Sequence, residues 1–246
     1  MILYLIRHAQ SENNHFDNWN ALDHKPPGET FVRKSDPALT DIGLAQADQL
    51  ARHLARVADK TDLRDRIVVE AGYRIEKLYC SPMKRAIQTA NAIATEMNIR
   101  PELCMDVFEE GGIWLQNPES GERIGKKGMS RNEMIAQFPR MQLAQEVEQE
   151  GWWFGSFETH NEMKLRASKV ALRIRQRATS SNDVVAIVSH GTFIIHLLRI
   201  LTNQADGSNV AFSHQNTGIT RLDFAEDHIR VRYSNQIEHL PPNLVV

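Results

Sequence analysis

The stretch MILYLIRHAQSENN, residues 1–14, decides the reading of the fold. Six apolar or aromatic residues run straight into Arg7 and His8. An apolar run that short, bounded by charge, suits a strand buried in the middle of a sheet, with Arg7 and His8 at its carboxyl end. In open α/β sheets that edge is where ligands bind.

The same arrangement recurs along the chain. VVAIVSHGTFIIHLLRIL, residues 184–201, reads as a strand over 184–188 that runs into His190 and on into an apolar helix. RIEKLYC, residues 74–80, reads as a strand, and SPMKRAIQTANAIATEM, residues 81–97, as a helix with Ser81 as its cap and Pro82 in its first turn. That strand delivers Arg85 into the start of a helix. Another helix is expected after Thr40, with Leu44, Ala47, Leu50, Ala51, Leu54, Val57 and Ala58 on a helical period. SRNE fits a capping box that opens a helix at Ser130, ending near Phe138 and Pro139, and residues 161–179 place Met163, Ala167, Val170, Ala171 and Ile174 on one helical face. A short strand is expected over 103–107, and ITRLDF and IRVRYSN form an antiparallel hairpin around AEDH. The expected fold class is α/β: a three-layer α/β/α sandwich with a mixed, mostly parallel sheet. One domain spans 1–246, with insertions at about 15–35 and 113–160.

Composition bounds the function. At 246 residues and 41% hydrophobic content the chain can bury a substantial core. Its 29 Lys and Arg against 31 Asp and Glu leave a net charge of -2, so no overall basic field points to nucleic acid or to an anionic membrane. The two cysteines, Cys80 and Cys104, are too few for a zinc site or a disulfide framework and read as buried small apolar residues. MILYLI ends too soon, at Arg7, to be a signal peptide or a membrane span, and the expected location is the cytoplasm.

Three strand ends thus carry Arg7 with His8, Arg85, and His190, and the acidic pair Glu109 and Glu110 follows a fourth apolar stretch. Taken singly, each has a plain structural explanation as a core histidine, a solvated arginine or a solvated acidic face. Gathered at one sheet edge, they suit phosphate chemistry. Arginine grips phosphate oxygens in a bidentate fork, neutral imidazole can attack phosphorus, and a carboxylic acid can protonate the departing oxygen.

LIRHAQSENN closely resembles the signature of the histidine phosphatase superfamily, the phosphoglycerate mutase-like family, in which an Arg-His pair follows the first strand. DPALTDIGLAQA, CSPMKRAIQTA and VSHG are similar to the family's later segments, in the same order. The resemblance implies that His8 is the nucleophile that becomes phosphorylated and that Arg7, Arg85 and His190 form the phosphate pocket, with Asn14 as a further ligand. Glu109 is the acid that fits the family's frame, with Glu110 as the alternative. No cofactor and no metal is implied. The expected partner is a small phosphorylated substrate, with neither nucleic acid nor a membrane; a homodimer stays open.

Two departures bear on function. Many relatives read Arg-His-Gly-Glu where this chain reads Arg7-His8-Ala9-Gln10, which keeps a small residue beside the nucleophile and a polar one after it. Cofactor-dependent mutases of the family carry Arg-His-Tyr-Gly after the acid, where this chain reads Glu110-Gly111-Gly112-Ile113. A phosphomonoester hydrolase is therefore expected, with a phosphoglycerate mutase-type phosphotransferase or a catalytically weak phosphate-recognising regulator as alternatives. Arg33, Lys34, Arg123, Lys126, Lys127 and Arg131 either solvate mobile loops or reach over the pocket toward a second anionic group. Trp114, Trp152, Trp153 and Phe154 either wall a pocket or fill the core. His196 reads as structural, and His15, His24, His160 and His214 receive no role.

Overall fold

The computed structural model describes residues 1–15, 32–56, 72–204 and 208–246. The elements in chain order are β1 (Ile2–Arg7), α1 (Asp41–Ala55), β2 (Lys77–Cys80), α2 (Lys84–Glu96), β3 (Glu102–Leu103), β4 (Trp114–Gln116), β5 (Arg123–Gly125), α3 (Arg131–Gln137), α4 (His160–Ser180), β6 (Val184–Ser189), α5 (Gly191–Leu201), β7 (Ile219–Phe224) and β8 (Ile229–Gln236). A 3-10 turn, Pro242–Leu244, follows.

Six strands form one sheet in the order β3-β2-β6-β1-β7-β8. The first four run parallel, and β7 and β8 pair antiparallel at the far side. The opening run is apolar throughout because β1 is covered on both faces. Tyr4 and Ile6 pack with Leu50, Leu54, Ile87 and Ala90 of α1 and α2, whereas Leu3 and Leu5 pack with Val170, Ala171, Leu197 and Leu198 of α4 and α5. Helices on both faces make three layers, as expected.

This arrangement creates the crevice that matters. The chain leaving β1 returns through α1 on one face, and the chain leaving β6 enters α5 on the other. Neighbouring parallel strands whose connections depart to opposite faces leave a gap at their carboxyl ends, the switch point where α/β sheets bind ligands. Arg7 is level with Ser189 in the β1–β6 register, and Ser81 continues the edge by donating its backbone N–H to Val188 at 3.0 Å.

Local expectations fared unevenly. Thr40 caps α1 as expected, accepting from the backbone of Gly43 at 3.0 Å. Gly43 must be glycine on steric grounds, since a Cβ there would lie 2.0 Å from the carbonyl oxygen of Gln10. Leu44 is 47% exposed because the buried stripe of α1 runs through Gln46, Ala47, Leu50 and Leu54; Val57 and Ala58 lie outside the described residues. Ser81 does not cap α2, which begins at Lys84 with Pro82 ahead of it; Asp36 Oδ1 accepts from the Lys84 backbone N–H at 3.0 Å instead. The strand expected over 103–107 is only Glu102–Leu103, because the carbonyls of residues 106–108 are taken by side chains rather than by a neighbouring strand. The expected capping box at Ser130 and Glu133 is present, and Thr159 with Glu162 forms a second one at α4. Most of the first expected insertion lies outside the described residues; the stretch 113–160 contains the β4–β5 hairpin and α3. Both cysteines are free thiols, Cys80 buried and Cys104 only half-buried. No described helix is long and apolar enough to cross a membrane.

Candidate active site

At the carboxyl end of β1, the backbone N–H of His8 donates to Ser189 of β6 at 2.9 Å, which fixes the imidazole over the crevice. His8 Nδ1 lies 2.6 Å from the carbonyl oxygen of Ala9. A carbonyl only accepts, so Nδ1 carries the proton and Nε2 presents its lone pair. Arg85 Nε donates to that same Nε2 at 3.1 Å, so guanidinium and imidazole converge on one point. Burial, reinforced by the Arg85 and Arg7 cations, holds the His8 pKa well below the ordinary imidazole value. The group is a neutral base at physiological pH.

His190 N-caps α5 and is fully buried beside His8, with ring centroids 5.0 Å apart. Its Nε2 lies 2.7 Å from Ser81 Oγ, and its Nδ1 has no hydrogen-bond partner among the described residues. Burial, with Arg85 and His8 as neighbours, lowers its pKa as well. Arg7 donates to the backbone carbonyl of His214 at 2.6 Å. Burial depresses Arg85, with Asp36 and Glu109 acting as its countercharges. Asp36 is itself pushed up to about 6 by burial, against the pull of Arg85.

The two acidic candidates part company here. Glu109 lays its carboxylate on the first turn of α5, accepting from the backbone N–H of Phe193 at 3.0 Å and of Thr192 at 3.2 Å. Glu110 turns instead to His160, 3.1 Å away. Gly111 and Gly112, at φ of 90° and 68°, let the chain fold back after the acids. A Cβ on Gly112 would meet the Trp153 ring at 2.3 Å. Asn14 Oδ1 accepts from Ser11 and from Asn216, so its NH2 end is free to face the pocket.

Arg7, His8, Asn14, Arg85, Glu109 and Glu110 line one cleft of about 140 Å³, together with Arg33 and Trp114 at its mouth. His190 stands behind that wall and not in it. A wider cleft of about 950 Å³, between the end of α4 and the β7–β8 turn, holds none of these groups. Of the loop cations, Arg33 stacks 4.1 Å over Trp114, and Arg123 lies 5.1 Å from the same ring and 4.4 Å from Phe157. Lys34 pairs with Glu12, and Arg131 ties down the carbonyls of Ala144 and Val147. Trp152 is buried against Phe108 in the core, and Phe154 is exposed.

Several supporting residues went unread in the sequence. Thr89 accepts the Ala9 N–H at 3.1 Å, Asn216 donates to the His8 carbonyl at 3.0 Å, and His214 holds Arg7 through its backbone. The available signal was the polar run HQNT, residues 214–217, just ahead of the alternating strand ITRLDF.

The family profile of the histidine phosphatase superfamily (branch 1) matches residues 3–237. The chain belongs to that superfamily. Its fold is similar to that of phosphoserine phosphatase from Entamoeba histolytica in complex with 3-phosphoglyceric acid, with 20% identity and a TM-score of 0.57 over 98% of this chain and 99% of that one. The ecdysone phosphate phosphatase from Bombix mori in complex with tungstate shares 15% identity at a TM-score of 0.60, covering 98% and 93%. The α-ribazole phosphatase from Shigella flexneri shares 16% at 0.58, covering 96% and 97%. No curated protein sequence matches. Within this histidine phosphatase fold, the convergence of His8, Arg85 and His190 occupies the switch point between β1 and β6.

Proposed function

We propose that this protein is a phosphomonoester hydrolase that works through a phosphohistidine on His8. The observation that carries this reading is the lone pair of His8 Nε2, held by the Nδ1 contact to Ala9 and faced by Arg85 Nε. The family and the solved phosphatases of the same fold support it.

In the first step His8 Nε2 forms a bond to phosphorus as the ester P–O bond breaks, and the Glu109 carboxyl gives its proton to the departing alkoxide. Arg7 and Arg85 hold the phosphoryl oxygens, Asn14 presents its NH2, and His190 packs behind the His8 ring. Donors already in place where charge develops stabilise the transition state without reorganising. In the second step water attacks phosphorus, Glu109 takes the water's proton, and the N–P bond breaks to release orthophosphate and neutral His8. Glu109 is favoured over Glu110 by its placement: it lies near Arg85 and rests on the first turn of α5 beside His190, whereas Glu110 faces His160.

The 140 Å³ cleft holds a phosphoryl group and little more, so the rest of a small substrate lies beside the stacked pair Arg33 and Trp114. The test is hydrolysis of p-nitrophenyl phosphate with chelator present, alongside rapid-quench labelling by a phosphorus-labelled substrate. Turnover that persists in chelator, with an acid-labile, base-stable adduct lost in His8→Ala, is the expected result. Equal labelling in His8→Ala overturns the assignment. Turnover of 3-phosphoglycerate that requires a bisphosphorylated primer transfers the function to the mutase class.

A further inference from the structure

Arg166 of α4 is one of the few buried cations among the described residues and lies outside the cleft. Its Nε and one terminal nitrogen grip Glu158 in a fork at 2.7 and 2.6 Å, and both side chains are buried. A buried ion pair of this kind is weak evidence for stability, because desolvation offsets most of the attraction. Its placement needs another explanation.

The other terminal nitrogen supplies one. It donates to the carbonyls of Asp106 and Phe108, each at 2.9 Å, while Ser189 donates to the intervening carbonyl of Val107 at 2.7 Å. Three successive carbonyls leading into Glu109 are thus held by side chains. The guanidinium plane lies 3.5 Å from the Phe108 ring centre and 4.6 Å from that of Phe193. Phe193 also donates its backbone N–H to the Glu109 carboxylate. Beyond the acid, the Glu158 N–H donates to the carbonyl of Gly111. Arg166 therefore touches the chain just before Glu109 and the helix turn on which the Glu109 carboxylate rests, and its partner touches the chain just after.

We propose that Arg166, held by Glu158, is a positioning residue for proton transfer at Glu109. This rests on the reading of Glu109 as the general acid. The guanidinium fork fixes a planar set of four bonds that a lysine ammonium cannot reproduce, so Arg166→Lys keeps the charge and loses the geometry. General-acid help matters most when the leaving group is a strong base. An alkoxide needs the proton as the ester bond breaks, whereas p-nitrophenolate departs with little help.

The experiment compares kcat/KM for an alkyl phosphate, glycerol 2-phosphate, with kcat/KM for p-nitrophenyl phosphate in parent, Glu109→Gln, Arg166→Lys and the double variant. This parameter covers the step in which the leaving group departs and excludes hydrolysis of the phosphohistidine common to both substrates. Arg166→Lys is expected to lower the alkyl value about 30- to 100-fold and the aryl value about threefold, within the range that misplacing a catalytic group costs. Glu158→Gln shifts both in the same direction by less. In the Glu109→Gln background Arg166→Lys adds little, because a residue that acts through the acid has nothing left to position. Equal loss on both substrates in Arg166→Lys, with Glu109→Gln still separating them, overturns the inference and leaves Glu109 as the acid. If Glu109→Gln fails to separate the substrates, the acid reading falls, and the positioning role falls with it.

Discussion

The floor of the cleft and its mouth are built on different principles. The floor consists of His8 and Arg85, with His190 packed behind them, held by backbone bonds between β1 and β6, by the first turn of α2 and by the start of α5. Every one of these groups is buried: His8 and His190 directly follow sheet strands, and Arg85 lies in the first turn of the helix after β2. The mouth holds Arg33 and Trp114, with Arg123 against the same ring, and these contacts include ring-to-cation stacks between half-exposed or exposed side chains on loops and a two-stranded hairpin. A buried group in a parallel sheet cannot shift without opening the core, whereas stacked surface side chains can be exchanged at little cost to stability. On the proposed function, the rigid region would carry the chemistry and the adaptable one the choice of substrate.

Substitutions should separate the two regions. The largest effect is expected from His8→Ala, with turnover of p-nitrophenyl phosphate falling by about four orders of magnitude as the covalent route is lost. Arg85→Ala should follow, lowering kcat/KM by about a thousandfold through loss of phosphoryl contacts, with inorganic phosphate inhibition weakened in parallel. At the mouth, Arg33→Ala should raise KM by about three- to tenfold for substrates carrying a second anionic group and leave p-nitrophenyl phosphate turnover within twofold. A similar loss for both substrate types would place Arg33 with the floor.

The pH dependence of stability sharpens the same contrast. Burial lowers the pKa values of His8, His190 and His214, the last to about 3, so the unfolded chain binds more protons than the folded one below the ordinary histidine pKa of about 6.5. Their contribution is present above that value and is lost as pH falls; His214 alone accounts for about 2 kcal/mol between pH 6.5 and pH 5. Asp36 works in the opposite sense. With its pKa raised to about 6, the folded protein binds the extra proton between the ordinary carboxylate value and pH 6, and stability declines as pH rises through that window. Asp36→Asn keeps an oxygen to cap Lys84 and should stabilise the protein above pH 6 by up to about 3 kcal/mol. Thermal melts from pH 4.5 to pH 8 check both signs. A variant no more stable than the parent at pH 8 would mean that the attraction between Asp36 and Arg85 outweighs the burial of the charge.

The sequence by itself determined the strand-to-histidine junctions at His8 and His190, the helix that presents Arg85, and the three-layer order of elements. These are local matters: an uninterrupted apolar run ending in charge, a helical period, a capping residue. Order along the chain also sufficed for the family resemblance. It favoured Glu109 over Glu110 as the acid but did not say what either side chain touches. That Glu109 finds the α5 amides and Glu110 finds His160 was decided only by the tertiary structure. The same holds for Ser81, which was expected to cap a helix and instead meets His190, and for Asp36, which caps that helix from a segment 48 positions away. It holds as well for Arg166, which in the sequence is one charged residue among many on an amphipathic helix. Hydrogen-bond partners between distant segments depend on how layers stack and where a buried polar group can be satisfied. Periodicity carries no record of that pairing.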